Sequence, residues 1–210
     1  MLNVLSILFC LSLFYLTVTS RVRAFVAVLR FQGILLTVMI LMQFVNHMSI
    51  FALIIPLTLF VVKVILVPRY IDRIILSMNI QRMVKPQIQH FTFLLIVMLS
   101  MGVIFAATHF LALTTDIETI PFASGFSAVV TGMFIIILQK KLIVHVAGFL
   151  VLENGIFLFG TSVAAKLPVI VEIGSLLDVF VVVFLMGIAI NRISSTLSEF
   201  DVTELKRLKD

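Results

Sequence analysis

Long apolar stretches separated by short polar connections run the length of the chain. The apolar runs fall at roughly 1–19, 24–45, 49–68, 91–113, 120–138, 142–165 and 169–190, each near the ~20 residues an α-helix needs to cross a bilayer. Polar and apolar positions do not alternate within them, so the pattern predicts helices rather than a membrane barrel. The expected fold class is all-α: a polytopic integral membrane protein with seven transmembrane helices. The first run opens Met1-Leu2-Asn3-Val4, without a positive side chain, and no A-x-A site follows it. That reads as a retained span rather than a cleaved signal peptide.

Composition strengthens this picture. The chain is 62% hydrophobic and 12% charged, with a mean hydropathy of +1.28, whereas soluble domains are about half apolar and a quarter charged. Lipid must solvate much of the excess. The net charge of +5 raises nucleic acid as a partner, but the basic residues occupy short connections between apolar runs, where they orient a membrane protein. Arg21 and Arg23, then Arg69, Arg73, Arg82 and Lys85, then Lys140 and Lys141 sit in odd-numbered connections, and Arg192, Lys206, Arg207 and Lys209 in the tail. Even-numbered connections hold Asn46 and His47, Asp116 and Glu118, and a single Lys166. This asymmetry predicts an external N-terminus and a cytoplasmic C-terminus, in agreement with an odd number of spans. Cys10, the one cysteine, excludes an intrachain disulfide and a cysteine-held cluster.

The long connection at 69–90 carries Ile71, Ile74, Ile75 and Met78 at helical spacing, with Arg69, Asp72, Arg73 and Arg82 among them. Two readings stay open: an amphipathic helix lying on the cytoplasmic surface, or a continuation of the third helix past the lipid boundary. The tail from Ser194 to Asp210 is polar and helical in pattern from about Val202, and is available to a cytoplasmic partner.

Ionisable side chains at the bilayer centre cost about 2.5–3.5 kcal/mol each on insertion scales, so each requires a reason. Glu153 lies about 12 residues beyond Lys141, or roughly 18 Å of helix rise. Asp178 lies about 14 residues before Arg192, or roughly 21 Å. Both are thus placed mid-membrane at similar depth on consecutive helices, where they either exchange protons or make structural hydrogen bonds between helices. Glu172 is shallower and either joins an ion path or reaches outer water. Lys63, about five residues before Pro68, either snorkels to the interface or faces the bundle as counter-charge to Glu153 or Asp178. Arg30 has the same snorkelling option. His145 is a proton relay or a packing histidine, and Asn154 supplies an interhelical hydrogen bond. The ion-path candidates are therefore Glu153, Asp178, Glu172, Lys63 and His145, with Asn154 and Arg30 as polar packing residues.

No phosphate-binding glycine loop, H-E-x-x-H, C-x-x-C or Ser/His/Asp set is present, so neither a catalytic apparatus nor a resident metal or cofactor is expected.

Gln139-Lys140-Lys141-Leu142 opens a helix containing GFLVLENG at 148–155. It is followed by LPVIVEIGSLLDVF at 167–180 and a tail reading FDVTELKRLKD. Together with KVILVP at 63–68, these segments resemble hydrogenase-4 component E, a membrane subunit of group 4 nickel–iron hydrogenase and formate hydrogenlyase complexes. That family's C-terminal third is similar to subunit K of NADH dehydrogenase and to the C subunit of multisubunit sodium/proton antiporters. The resemblance implies N-terminal membrane helices over 1–113, a three-helix module over 120–190 and a cytoplasmic tail over 191–210. It also implies a bacterial or archaeal cytoplasmic membrane. The implied partners are antiporter-like and quinone-site-like membrane subunits and peripheral hydrogenase and iron–sulfur subunits. Subunit K carries two membrane carboxylates on consecutive helices. The second matches Asp178; the first would fall at Leu150, with Glu153 three residues on. The implied role is non-catalytic: proton or sodium translocation coupled to electron transfer elsewhere. An antiporter or ion-uptake subunit, and a purely structural subunit, are the competing readings.

Overall fold

A computed structural model of the chain describes residues 1–19, 21–44, 56–77, 89–113, 118–139, 142–163 and 187. Every element among them is helical. Helix α1 spans Leu2–Val18 and α2 spans Val22–Phe44. Helix α3 covers 56–77 and includes a π-helical segment, Val61–Leu66, running directly into the α-helical Val67–Ser77. Helices α4, α5 and α6 span His90–Ala112, Thr119–Leu138 and Leu142–Val163. Among the described residues, four helices are long and apolar enough to cross a membrane, over Val22–Met42, His90–Ala112, Thr119–Leu138 and Ile143–Val163. These boundaries lie within three residues of the periodicity-based spans, because in lipid an unbroken apolar run satisfies its own backbone as a helix. The seventh expected span, the tail and the segment 78–88 with Met78, Arg82 and Lys85 lie outside the described residues, residue 187 apart.

Intrahelical hydroxyl bonds explain how these apolar helices carry so many Ser and Thr residues. Ser6, Thr37, Thr108 and Thr131 each donate to the carbonyl four residues back, at 2.7–3.0 Å. A hydroxyl bonded to its own helix needs no water.

Helices α5 and α6 form a closely packed antiparallel pair, α4 and α1 lean on α5, and α2 lies between α1, α3 and α6. Of the α6 span 67% is buried, against 28% of the α4 span. Helix α6 is therefore the centre of the described bundle. Helix α4 is peripheral and presents Phe91, Leu99, Val103 and Phe110 outward. Phenylalanines serve on both sides of that division: Phe9, Phe25 and Phe93 are fully buried.

The third helix resolves the ambiguity at 69–90 for the residues up to 77. It continues unbroken past Pro68 and is amphipathic as it does so. Ile71, Ile74 and Ile75 are buried while Arg69 and Arg73 are exposed. Pro68 has no N–H to donate, and its ring crowds the carbonyl of Val64 in a regular α-helix. The ladder accommodates it by widening just before the proline, so that the Val67 N–H donates to the Val62 carbonyl, five residues back. Arg30 of α2 forms an ion pair with Asp72 of α3. Both side chains are about a third or more exposed, at 41% and 34%, so the pair resembles a surface salt bridge in worth. Replacing Arg30 by alanine or Asp72 by asparagine is expected to cost less than about 1 kcal/mol in thermal unfolding of the detergent-solubilised chain.

Candidate functional site

The π-helical segment carries Lys63, and the side chain points into the bundle, 5% exposed. The helix runs on for fourteen residues beyond it, so Lys63 is not at a helix end, and of its two open readings the bundle-facing one, against Glu153, is the geometry found. Gly33 of α2 makes the burial possible. A β-carbon at that position would lie 3.2 Å from the Lys63 Cβ and 3.3 Å from its carbonyl carbon. The missing side chain lets α2 run against the lysine's backbone.

Glu153 and Asn154 meet Lys63 from α6. The ammonium donates to Glu153 Oε1 at 3.0 Å and to Asn154 Oδ1 at 3.1 Å. Glu153 is 2% and Asn154 4% exposed, and Leu36, Leu150 and Val151 belong to the same apolar core. An ion pair this deep stands only where geometry and extra hydrogen bonds offset the loss of water. The extra bonds are present. Asn154 Nδ2 donates to Gln32 Oε1 at 3.2 Å, Gln32 Nε2 donates to Ser12 Oγ at 2.9 Å, and the Ser12 hydroxyl donates to the Phe9 carbonyl at 2.6 Å. One continuous polar chain thus joins α3, α6, α2 and α1 through a largely apolar core.

Of the residues singled out from the sequence, Lys63, Glu153 and Asn154 come together. His145 does not join them: its ring Nε2 bonds the Gln139 carbonyl at 2.5 Å. It thereby ties the end of α5 to the first turn of α6, roughly 12 Å along the helix from Glu153. Arg30 is engaged with Asp72 instead. Leu150, where subunit K's pattern puts its first acid, is buried one turn before Glu153. Glu172 and Asp178 lie outside the described residues. Gln32 and Ser12 were not anticipated. The available signal was an amide ten residues inside an apolar helix, flanked by Phe31 and Gly33.

Comparison with known proteins adds one relative of unstated activity. No protein-family model matches the chain, and no solved structure matches it. It is 31% identical over 87 residues to an uncharacterized protein of Mycobacterium tuberculosis (strain H37Rv), a match covering 41% of this chain and 40% of that protein.

Proposed function

We propose that this chain is a non-catalytic membrane subunit of a complex-I-like respiratory assembly of the hydrogenase-4 or formate-hydrogenlyase type. In this reading Glu153 and Lys63 belong to the path along which a proton, or a sodium ion, moves as electrons pass through other subunits. The observation that carries it is the Lys63–Glu153 pair at 3.0 Å, 5% and 2% exposed in the middle of an apolar bundle. Ionisable groups held inside membrane helices mark ion pathways more often than they mark packing. Asp178, which counting helix rise puts at a depth similar to Glu153, is the second candidate acid of this path. The resemblance at 148–155 and 167–180 supports antiporter-like and quinone-site-like partners in a bacterial or archaeal cytoplasmic membrane.

The test is ion movement in the intact assembly. Glu153→Gln keeps an acceptor for Lys63 and removes only the exchangeable charge. Protons taken up per electron transferred, normalised to assembled complex, are expected to fall toward zero, because the group that passes the proton is gone. The variant combined with Asp178→Asn should fall no less. If both variants translocate protons at the parental ratio, the ion path lies elsewhere and the subunit is structural.

A further inference from the structure

The polar chain behind the ion pair has a fixed direction, and that direction separates the roles of the two charged residues. The Phe9 carbonyl accepts the Ser12 hydroxyl proton, at 2.6 Å. Ser12 Oγ therefore meets its other neighbour as an acceptor and takes the Gln32 amide N–H. With its nitrogen committed, Gln32 turns its oxygen to Asn154 Nδ2, and Asn154 turns its oxygen to Lys63. Each amide has one acceptor end and one donor end, so the choice made at Phe9 passes down the line. What reaches Lys63 is an oxygen that cannot exchange places with the amide nitrogen without breaking every bond behind it. An ammonium group has donors and no acceptor, so this oxygen matches the charged lysine. Neither amide takes up or releases a proton near neutral pH, so the arm cannot itself conduct one.

We infer that the Ser12–Gln32–Asn154 arm is a positioning device that holds Lys63 as a fixed cation, and that within the Lys63–Glu153 pair only Glu153 exchanges the proton. This rests on the ion-path reading above. In the step, the Glu153 carboxylate gains a proton to become the carboxylic acid and later gives it up. Only that O–H bond forms and breaks, and the Lys63 N–H bonds are kept throughout. Gln32 and Asn154 are positioning residues.

Lys63→Arg tests the division of labour, because a guanidinium stays protonated under all working conditions. In the reconstituted complex, assembled Lys63→Arg is expected to retain proton movement within about threefold of the parent, while Glu153→Gln loses nearly all of it. An assembled Lys63→Arg complex that moves no protons overturns the inference and leaves the ion path standing. Parental proton movement in Glu153→Gln overturns both. If arginine prevents assembly, Gln32 decides. Gln32→Glu, as the carboxylic acid, still offers its carbonyl oxygen to Asn154 and its hydroxyl to Ser12, whereas Gln32→Lys offers only donors and forces the Asn154 nitrogen toward Lys63. Glutamate is expected to retain assembly and proton movement, and lysine to lose at least tenfold. Equal effects of the two, or a chain that accepts Gln32→Met best of the three, would reduce the arm to filling space and overturn its proposed role.

Discussion

Lys63→Met is expected to lower stability by about 3–5 kcal/mol, because it leaves Glu153 charged and buried without its cation. Glu153→Met should cost a similar amount by stranding the ammonium. At ~2–4 °C per kcal/mol for a chain of this size, each single variant should melt about 6–20 °C below the parent in detergent, or fail to accumulate in the membrane. The double variant Lys63→Met/Glu153→Met replaces both charges by apolar groups of similar length, and buried pairs so replaced are often neutral in stability. It should therefore recover most of the loss, and because the two single losses would sum to about 6–10 kcal/mol, the coupling energy should exceed the ~0.5–3 kcal/mol usual for contacting residues. The half-exposed Arg30–Asp72 pair is the internal comparison. A Lys63→Met chain as mild as Arg30→Ala would mean that water reaches the site. Stability and ion movement then separate cleanly: the double variant should fold and assemble while translocating nothing.

The pair was half legible in the sequence. Glu153 is conspicuous, being an acid in the middle of an apolar run, and its depth follows from counting helix rise back to Lys141. Spacing sets Lys63 within its helix but does not fix its direction. Its position near Pro68 suggested a helix about to end, yet the helix absorbs the proline through a π-helical turn and continues to Ser77. A single widened turn changes the azimuth of every following residue, and no periodicity count registers it. The amide arm was harder still. Gln32 and Ser12 lie twenty residues apart on separate helices, and only tertiary packing sets the second beside the first. Spans α2, α4, α5 and α6, by contrast, follow from local composition alone, since in lipid no alternative to the helix satisfies the backbone.

A second large effect is expected where no charge is involved. Gly125 and Gly132 on α5 face Gly155 and Gly148 on α6, and the seven-residue spacing, two turns, keeps each pair on one face of its helix. A β-carbon on Gly125 would meet the Phe159 backbone nitrogen at 2.4 Å and the Gly155 carbonyl oxygen at 2.8 Å. One on Gly155 would meet the Val129 nitrogen at 2.6 Å and the Gly125 carbonyl oxygen at 2.7 Å. These obstacles are backbone, so no side-chain rotation relieves them, and the helices must move apart. Gly125→Ala and Gly155→Ala should each cost about 2–3 kcal/mol, against the gain of up to ~1 kcal/mol that alanine brings to an unobstructed helix. Gly102 on α4 is the control, with nothing within 4 Å of an added β-carbon, and Gly102→Ala should be neutral or stabilising. The double variant Gly125→Ala/Gly155→Ala should cost less than the two singles together, because both methyl groups open the same gap. Additive losses would point instead to independent local strain. Glu153 and Asn154 precede Gly155 directly, so a helix pair forced apart at that turn should also loosen the grip on Lys63. In the intact assembly, Gly155→Ala should then lose proton movement out of proportion to its loss of stability, whereas Gly102→Ala on the peripheral α4 should not.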